Sequence, residues 1–156
     1  MDNKRQERIK FGDEQEIKVA KYIRLLRPDY QVMLSKEQSD WSSFKDLKYG
    51  DVLLKKDNNI LYFDVKRGSR KGLNGISFQS INAYSGDYFI LTTYDFDANT
   101  SYVISTRLMK NYAQKEKDAG RVKELPSGSP GIYISPATNI IEGTKTLLFF
   151  IKNSLP

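Results

Sequence analysis

Apolar residues recur at helical spacing near the start of the chain. Ile17, Ala20 and Ile23, then Leu25 or Leu26, fall along one stripe, and Pro28 ends the run. This pattern predicts a helix over 11–27. A short apolar run predicts a strand over 30–34. Residues 35–48 are polar and irregular, with Trp41 and Phe44 as their only large apolar anchors. Two runs then follow at 51–56 and 60–66, separated by Asp57-Asn58-Asn59. Asparagine tolerates the positive φ that tight hairpin turns demand, so the pair reads as a β-hairpin.

Downstream, 67–75 is glycine-rich and basic and reads as a loop. A helix is expected over 77–84, strands over 88–93 and 102–105, and a basic amphipathic helix over 107–119. Pro126, Gly128 and Pro130 mark 124–131 as a loop, and 145–151 reads as a terminal strand. No internal repeat, low-complexity tract or long linker divides the chain, so a single domain over 1–156 is expected. Helix, strands, helix, strands, helix, strand is the order of an α/β fold, a mixed central sheet flanked by helices.

The hairpin concentrates the chemistry. Successive strand side chains alternate faces, so Asp64 and Lys66 project from one side while Leu61, Phe63 and Val65 project from the other. If Asn58-Asn59 is a two-residue loop, Asp51 falls opposite Lys66 and Leu53 opposite Asp64. Cross-strand partners share a face, so Asp51, Asp64 and Lys66 would then point the same way. A three-residue loop would move Asp51 to the other face.

Composition narrows what these residues can do. The 156-residue chain contains no cysteine and no histidine. That excludes disulfides, zinc sites built on thiolate or imidazole, Ser-His-Asp triads and histidine general bases. Any catalysis must use carboxylates, lysine, tyrosine, serine or a metal. A formal charge of +6 favours a polyanionic partner. The charged N-terminus lacks the apolar core of a signal peptide, and no stretch reaches the length of a membrane span. A cytoplasmic protein without membrane association is therefore expected.

Asp51, the Asp64-Val65-Lys66 triplet and the upstream Gly12-Asp13-Glu14-Gln15-Glu16 segment together resemble the PD-(D/E)XK nuclease superfamily, the restriction-endonuclease-like fold. Gly12 and Glu16 stand in the glycine-to-acid spacing found in the first helix of Holliday-junction resolvases. The likeness covers the first half of the chain, and Gly50 stands where the family places a proline.

The resemblance implies a Mg²⁺-dependent endonuclease acting on DNA, with Mn²⁺ able to substitute. Asp51, Asp64 and the Val65 carbonyl would bind the metal. The metal would activate a water and stabilise charge on the scissile phosphate. Lys66 would orient that water or stabilise charge, since two neighbouring carboxylates keep it protonated. Glu16 would bind the metal through water or hold a second ion. Glu14 is its rival, about 200° away around the helix, so only one of the two can face the site.

The resemblance also suggests Gln79, in the helix after the triplet, as a residue near metal and phosphate, with Tyr84 beside it. Arg67, Arg70 and Lys71 would follow a phosphate chain. Duplex, nicked or branched DNA would be the partner. RNA cleavage and a non-catalytic nucleic-acid-binding module are the alternatives. A homodimer and a single-strand nickase both fit the small size. Gly131-Ile132-Tyr133-Ile134 superficially resembles the opening of GIY-YIG nucleases, but the short tail after it contains no arginine. It is read as a core strand. The ten tyrosines could stack on bases, but they are equally ordinary strand residues.

Overall fold

The computed structural model describes residues 3–37, 48–68, 74–134 and 143–156, with side chains of the first helix from Glu14 onward. Trp41, Phe44, Arg70 and Lys71 lie outside the described residues.

Helix α1 (Asn3–Leu26) starts earlier than the apolar stripe indicates and ends at the predicted place, with the Arg27 amide bonded to the Ile23 carbonyl. Its buried stripe is Gln15, Val19, Ala20 and Ile23. Ile17, expected on the buried face, is exposed, and of the alternatives Leu25 and Leu26 it is Leu26 that packs against the core. The helix is rotated so that residues 15, 19 and 23 face inward, spaced four apart.

Strand β1 (Gln31–Leu34) leads into a 3₁₀ turn over Ser35–Glu37. Strands β2 (Val52–Lys56) and β3 (Asn59–Arg67) form the predicted hairpin. After β4 (Asn74–Ser77) and helix α2 (Phe78–Ala83) come β5 (Tyr88–Thr92) and β6 (Tyr102–Ser105). Helix α3 (Thr106–Asp118), strands β7 (Lys123–Glu124), β8 (Pro130–Ile134) and β9 (Lys145–Thr146), and helix α4 (Leu147–Asn153) complete the chain.

The fold is α/β with a mixed central sheet of six strands in the order β1-β2-β3-β5-β6-β9. Strands β3 and β5 are parallel and the other neighbours antiparallel. Each face of the sheet carries its own core. On one face α1 and α4 cover Val52, Leu54, Phe63, Ile90 and Val103. On the other, Phe89, Leu91 and Ile104 pack with Ile81 and Tyr84 at α2 and with Met109 and Ala113 of α3. No described helix is long and apolar enough to cross a membrane.

Two expectations change. A second sheet, β4-β8-β7, occupies part of what read as loops at 67–75 and 124–131. Glycine weakens strand propensity, which hid these strands. Here it makes room, because a Cβ at Gly131 would lie 2.2 Å from the Leu125 side chain. The segment from Gly131 to Ile134 is indeed a strand, with Ile132 and Ile134 buried.

The expected terminal strand over 145–151 is a two-residue strand followed by helix α4. An apolar run of this length is ambiguous between strand and helix. Thr146 decides locally, since its hydroxyl accepts from the Phe149 amide at 3.2 Å and caps the helix. Packing completes the choice: Leu147, Phe150 and Ile151 are buried while Phe149 is 49% exposed. The Phe150 ring meets Phe63 and Tyr88 edge-on at 6.1 and 4.8 Å.

Phe150→Ala should therefore destabilise the protein by about 3–5 kcal/mol, the usual loss for a buried aromatic. Phe149→Ala should cost under about 1 kcal/mol, as at other exposed positions. Urea unfolding of the two variants checks this, and equal losses would contradict the helical packing.

Candidate active site

The site forms where β2 begins and β3 approaches its end. Lys56 pairs with Asn59 and Val52 with Phe63, so the hairpin loop is Asp57-Asn58 rather than Asn58-Asn59. Asp57, at φ 55°, supplies the positive φ. The ladder is thus displaced by two residues from the expected one, and Leu53 lies opposite Tyr62 rather than Asp64. The ladder ends at Val52, short of Asp51, and the Asp64 charge acts on Asp51 from nearby. A displacement of two leaves every paired side chain of the hairpin on its expected face.

Gly50 lets Asp51 reach β3. It adopts φ +92°, and a Cβ there would sit 2.4 Å from the Phe63 carbonyl oxygen. Proline, locked near φ −65°, could not take this conformation. The next amide, that of Asp51, donates to that same carbonyl at 2.7 Å. Strand β2 starts at Val52, so Val65 has no ladder partner on this side. Its amide donates instead to Asp51 Oδ2 at 2.9 Å. The N–H and C=O of one strand residue point to the same side, so the Val65 carbonyl is directed to this edge as well.

Asp64 is 8% exposed, and Lys66 Nζ lies 3.2 Å from its Oδ2. In the parallel register Asp64 stands beside Phe89 and Lys66 beside Leu91. Both side chains therefore emerge on the α2/α3 face, as the alternation predicts. Burial pushes the Asp51 carboxyl well above its ordinary value, and the charges of Asp64 and Glu16 push it further. The closeness of the Asp64 side chain acts in the same direction. Burial alone would lower the Lys66 ammonium, but Asp64, Asp51 and Glu16 together hold it above the usual lysine value. Lys66 is therefore charged at neutral pH.

Glu16 reaches the rim of the site from α1, and its Oε2 pairs with Lys36 at 3.3 Å. Of the two rival helix glutamates, only Glu16 acts on both Asp51 and Lys66. Among the described residues no three acidic side chains converge closely enough to hold one ion as a set. The oxygen donors gathered here are the Asp51 and Asp64 carboxylates and the Val65 carbonyl. That set suits a hard cation such as Mg²⁺, which commonly binds through one or two carboxylates and keeps several waters.

Gln79 is exposed on α2 and lines a groove of about 450 Å³ with Phe78, Asn82, Lys117, Val122 and Pro130. Arg67 donates to the Tyr94 carbonyl at 3.0 Å and stacks over the Tyr94 ring at 3.7 Å. Tyr84 is buried, and its hydroxyl lies 2.9 and 3.0 Å from the Tyr62 and Tyr88 carbonyls, placed to donate to both. Burial, with the Asp64 and Asp51 charges, raises the pKa of this phenol, so it acts as a neutral donor.

Sequence reasoning passed over Lys36, Gln15 and Thr92. Gln15 had a signal, being four residues before Val19 on the apolar stripe. Thr92 and Lys36 had none, because only the tertiary packing brings them here. No protein-family model matches this sequence, and no curated protein matches it.

Two outcomes follow. Gly50→Ala should destabilise the protein by about 2–4 kcal/mol, combining backbone strain with the clash on β3; denaturant unfolding measures it.

The second concerns pH. A carboxyl whose folded pKa is raised releases its proton more readily when unfolded. Stability of the metal-free protein therefore falls as pH climbs from the unfolded Asp value toward the folded one. Asp51→Asn keeps an oxygen for the Val65 amide and removes the charge. It should raise the melting temperature at pH 7 and lose that advantage in acid. Lys66, whose folded value is also raised, acts with the same sign in a different window: its stabilising contribution is complete at neutral pH and is lost only in strong alkali.

Proposed function

We propose that the chain is a Mg²⁺-dependent nuclease of the restriction-endonuclease-like, PD-(D/E)XK class, hydrolysing DNA phosphodiester bonds. The observation that carries the reading is the buried Asp64 with Lys66 3.2 Å from it, beside an Asp51 whose carboxylate accepts from the Val65 amide and feels the Asp64 charge. Two buried carboxyls held together against their repulsion are poorly suited to stability alone and well suited to a cation.

Asp51, Asp64 and the Val65 carbonyl would hold Mg²⁺. The chemistry it supplies when bound is a more acidic water and neutralisation of charge on the scissile phosphate. Lys66, kept protonated by its acidic neighbours, cannot begin as the base. Its ammonium is suited to orienting the attacking water and to donating hydrogen bonds to the phosphate as charge builds. Glu16 adds negative charge at the rim, where a water-mediated contact to the same cation or a second ion would sit. The net charge of +6 suits a polyanionic substrate.

A second reading has its own support. Asp51 caps the Val65 amide, a structural task, and the third acid is paired with Lys36. Both fit a nucleic-acid-binding module in which the acidic pair is structural.

Cleavage of supercoiled, nicked, branched and single-stranded DNA, with RNA in parallel, separates the readings. Mg²⁺ should support cleavage and EDTA abolish it. Asp64→Ala and Lys66→Ala should each lower the rate at least about 100-fold, the scale of losing a central charge-stabilising group. Cleavage unchanged in both variants would sink the proposed site, and binding without cleavage would favour the module.

A further inference from the structure

Gln15 is 2% exposed, although it is a carboxamide on a helix otherwise packed through apolar residues. Its Nε2 donates to Thr92 Oγ1 at 2.9 Å and to the Thr93 carbonyl at 2.9 Å. Thr92 is fully buried, and its hydroxyl makes a long 3.5 Å contact with the Lys66 carbonyl. The Thr92 carbonyl in turn accepts from the Gly68 amide at 2.7 Å. One side chain on α1 thereby reaches the end of β5, and through it the stretch of β3 that carries Lys66.

The neighbour of Gln15 on α1 is Glu16, whose charge acts on Asp51 and Lys66. A burial site this dry makes the two hydrogen bonds specific. An apolar residue there would leave the Thr93 carbonyl unmatched, and a carboxylate could not donate to it. Helix α1 also packs on the core through Val19, Ala20 and Ile23, which follow Glu16 along the helix.

We propose that Gln15 and Thr92 form a latch that positions Glu16 and Lys66 relative to the Asp51–Asp64 pair. Both are positioning residues, since neither is placed to touch substrate. The inference rests on the nuclease reading for what the site does, but the latch itself is a matter of geometry.

The test uses the full chain with Gln15→Met and Thr92→Val, which keep side-chain size, and Thr92→Ser, which keeps the hydroxyl. The first two should lower kcat about 10- to 100-fold with KM changed less than about 2-fold, on the scale of mispositioned catalytic groups. Thr92→Ser should restore most of the rate. A second measurement needs no turnover: the Mg²⁺ concentration at half-maximal thermal stabilisation should rise several-fold in Gln15→Met and Thr92→Val, and not in Thr92→Ser. A shifted Mg²⁺ midpoint without cleavage by the wild type would retire the enzymatic reading and leave the latch standing. Loss of melting temperature with kcat and the Mg²⁺ midpoint unchanged would overturn the latch, reducing Gln15 to a fold contact.

Discussion

Two carboxyls forced together at a buried strand edge are the constraint around which this molecule is arranged. Asp51 and Asp64 repel each other, and burial penalises charge on either. They meet because the β2–β3 hairpin brings the start of β2 beside the second half of β3 and because Gly50 lets the chain approach the Phe63 carbonyl. Several neighbours make the pairing tolerable. The Val65 amide donates to Asp51, and the Lys66 ammonium stands beside Asp64.

The rest of the fold holds that edge rigid from both sides. Phe63 and Val65 point into the core under α1 and α4, while Asp64 and Lys66 emerge on the face covered by α2 and α3. Parallel pairing with β5 secures β3 along its second half, so the segment bearing the charged residues has a strand partner even where β2 has ended. Because β2 stops at Val52, the Val65 amide and carbonyl are left for side-chain or ligand chemistry. The site is thus a product of unequal strand lengths as much as of residue types.

Local patterns were legible wherever side-chain periodicity and burial agreed. The hairpin strands, β5, β6 and α3 all read correctly because alternation or helical spacing was strong. Where an apolar run lacked period, as in Leu147 to Ile151, sequence could not choose between strand and helix until the Thr146 cap and the Phe150 packing decided it. Glycine misled in the opposite direction at Asn74–Ser77, where a glycine-rich stretch read as a loop is a strand; the Gly131 strand was read as one, and its lack of a side chain is what admits Leu125. Gln79 was assigned by analogy with a family pattern, and its side chain lines a groove with Phe78 and Asn82.

For the site itself, sequence alone determined which chemistries were available and which face each charged residue would take. A chain without histidine or cysteine leaves carboxylates and lysine, and strand alternation puts Asp64 with Lys66. The expected face of Asp51 rested on loop parity, and the loop is even although it moved to Asp57-Asn58. Only the tertiary structure decided the proximity of Asp51 to Asp64, the action of Glu16 on both Asp51 and Lys66, and the burial that shifts the Asp51 carboxyl. It also decided the contact of Gln15 with Thr92. These depend on distances between segments remote in the chain, and local propensity contains no information about such distances. They are fixed when helix α1 and the strands pack into one core.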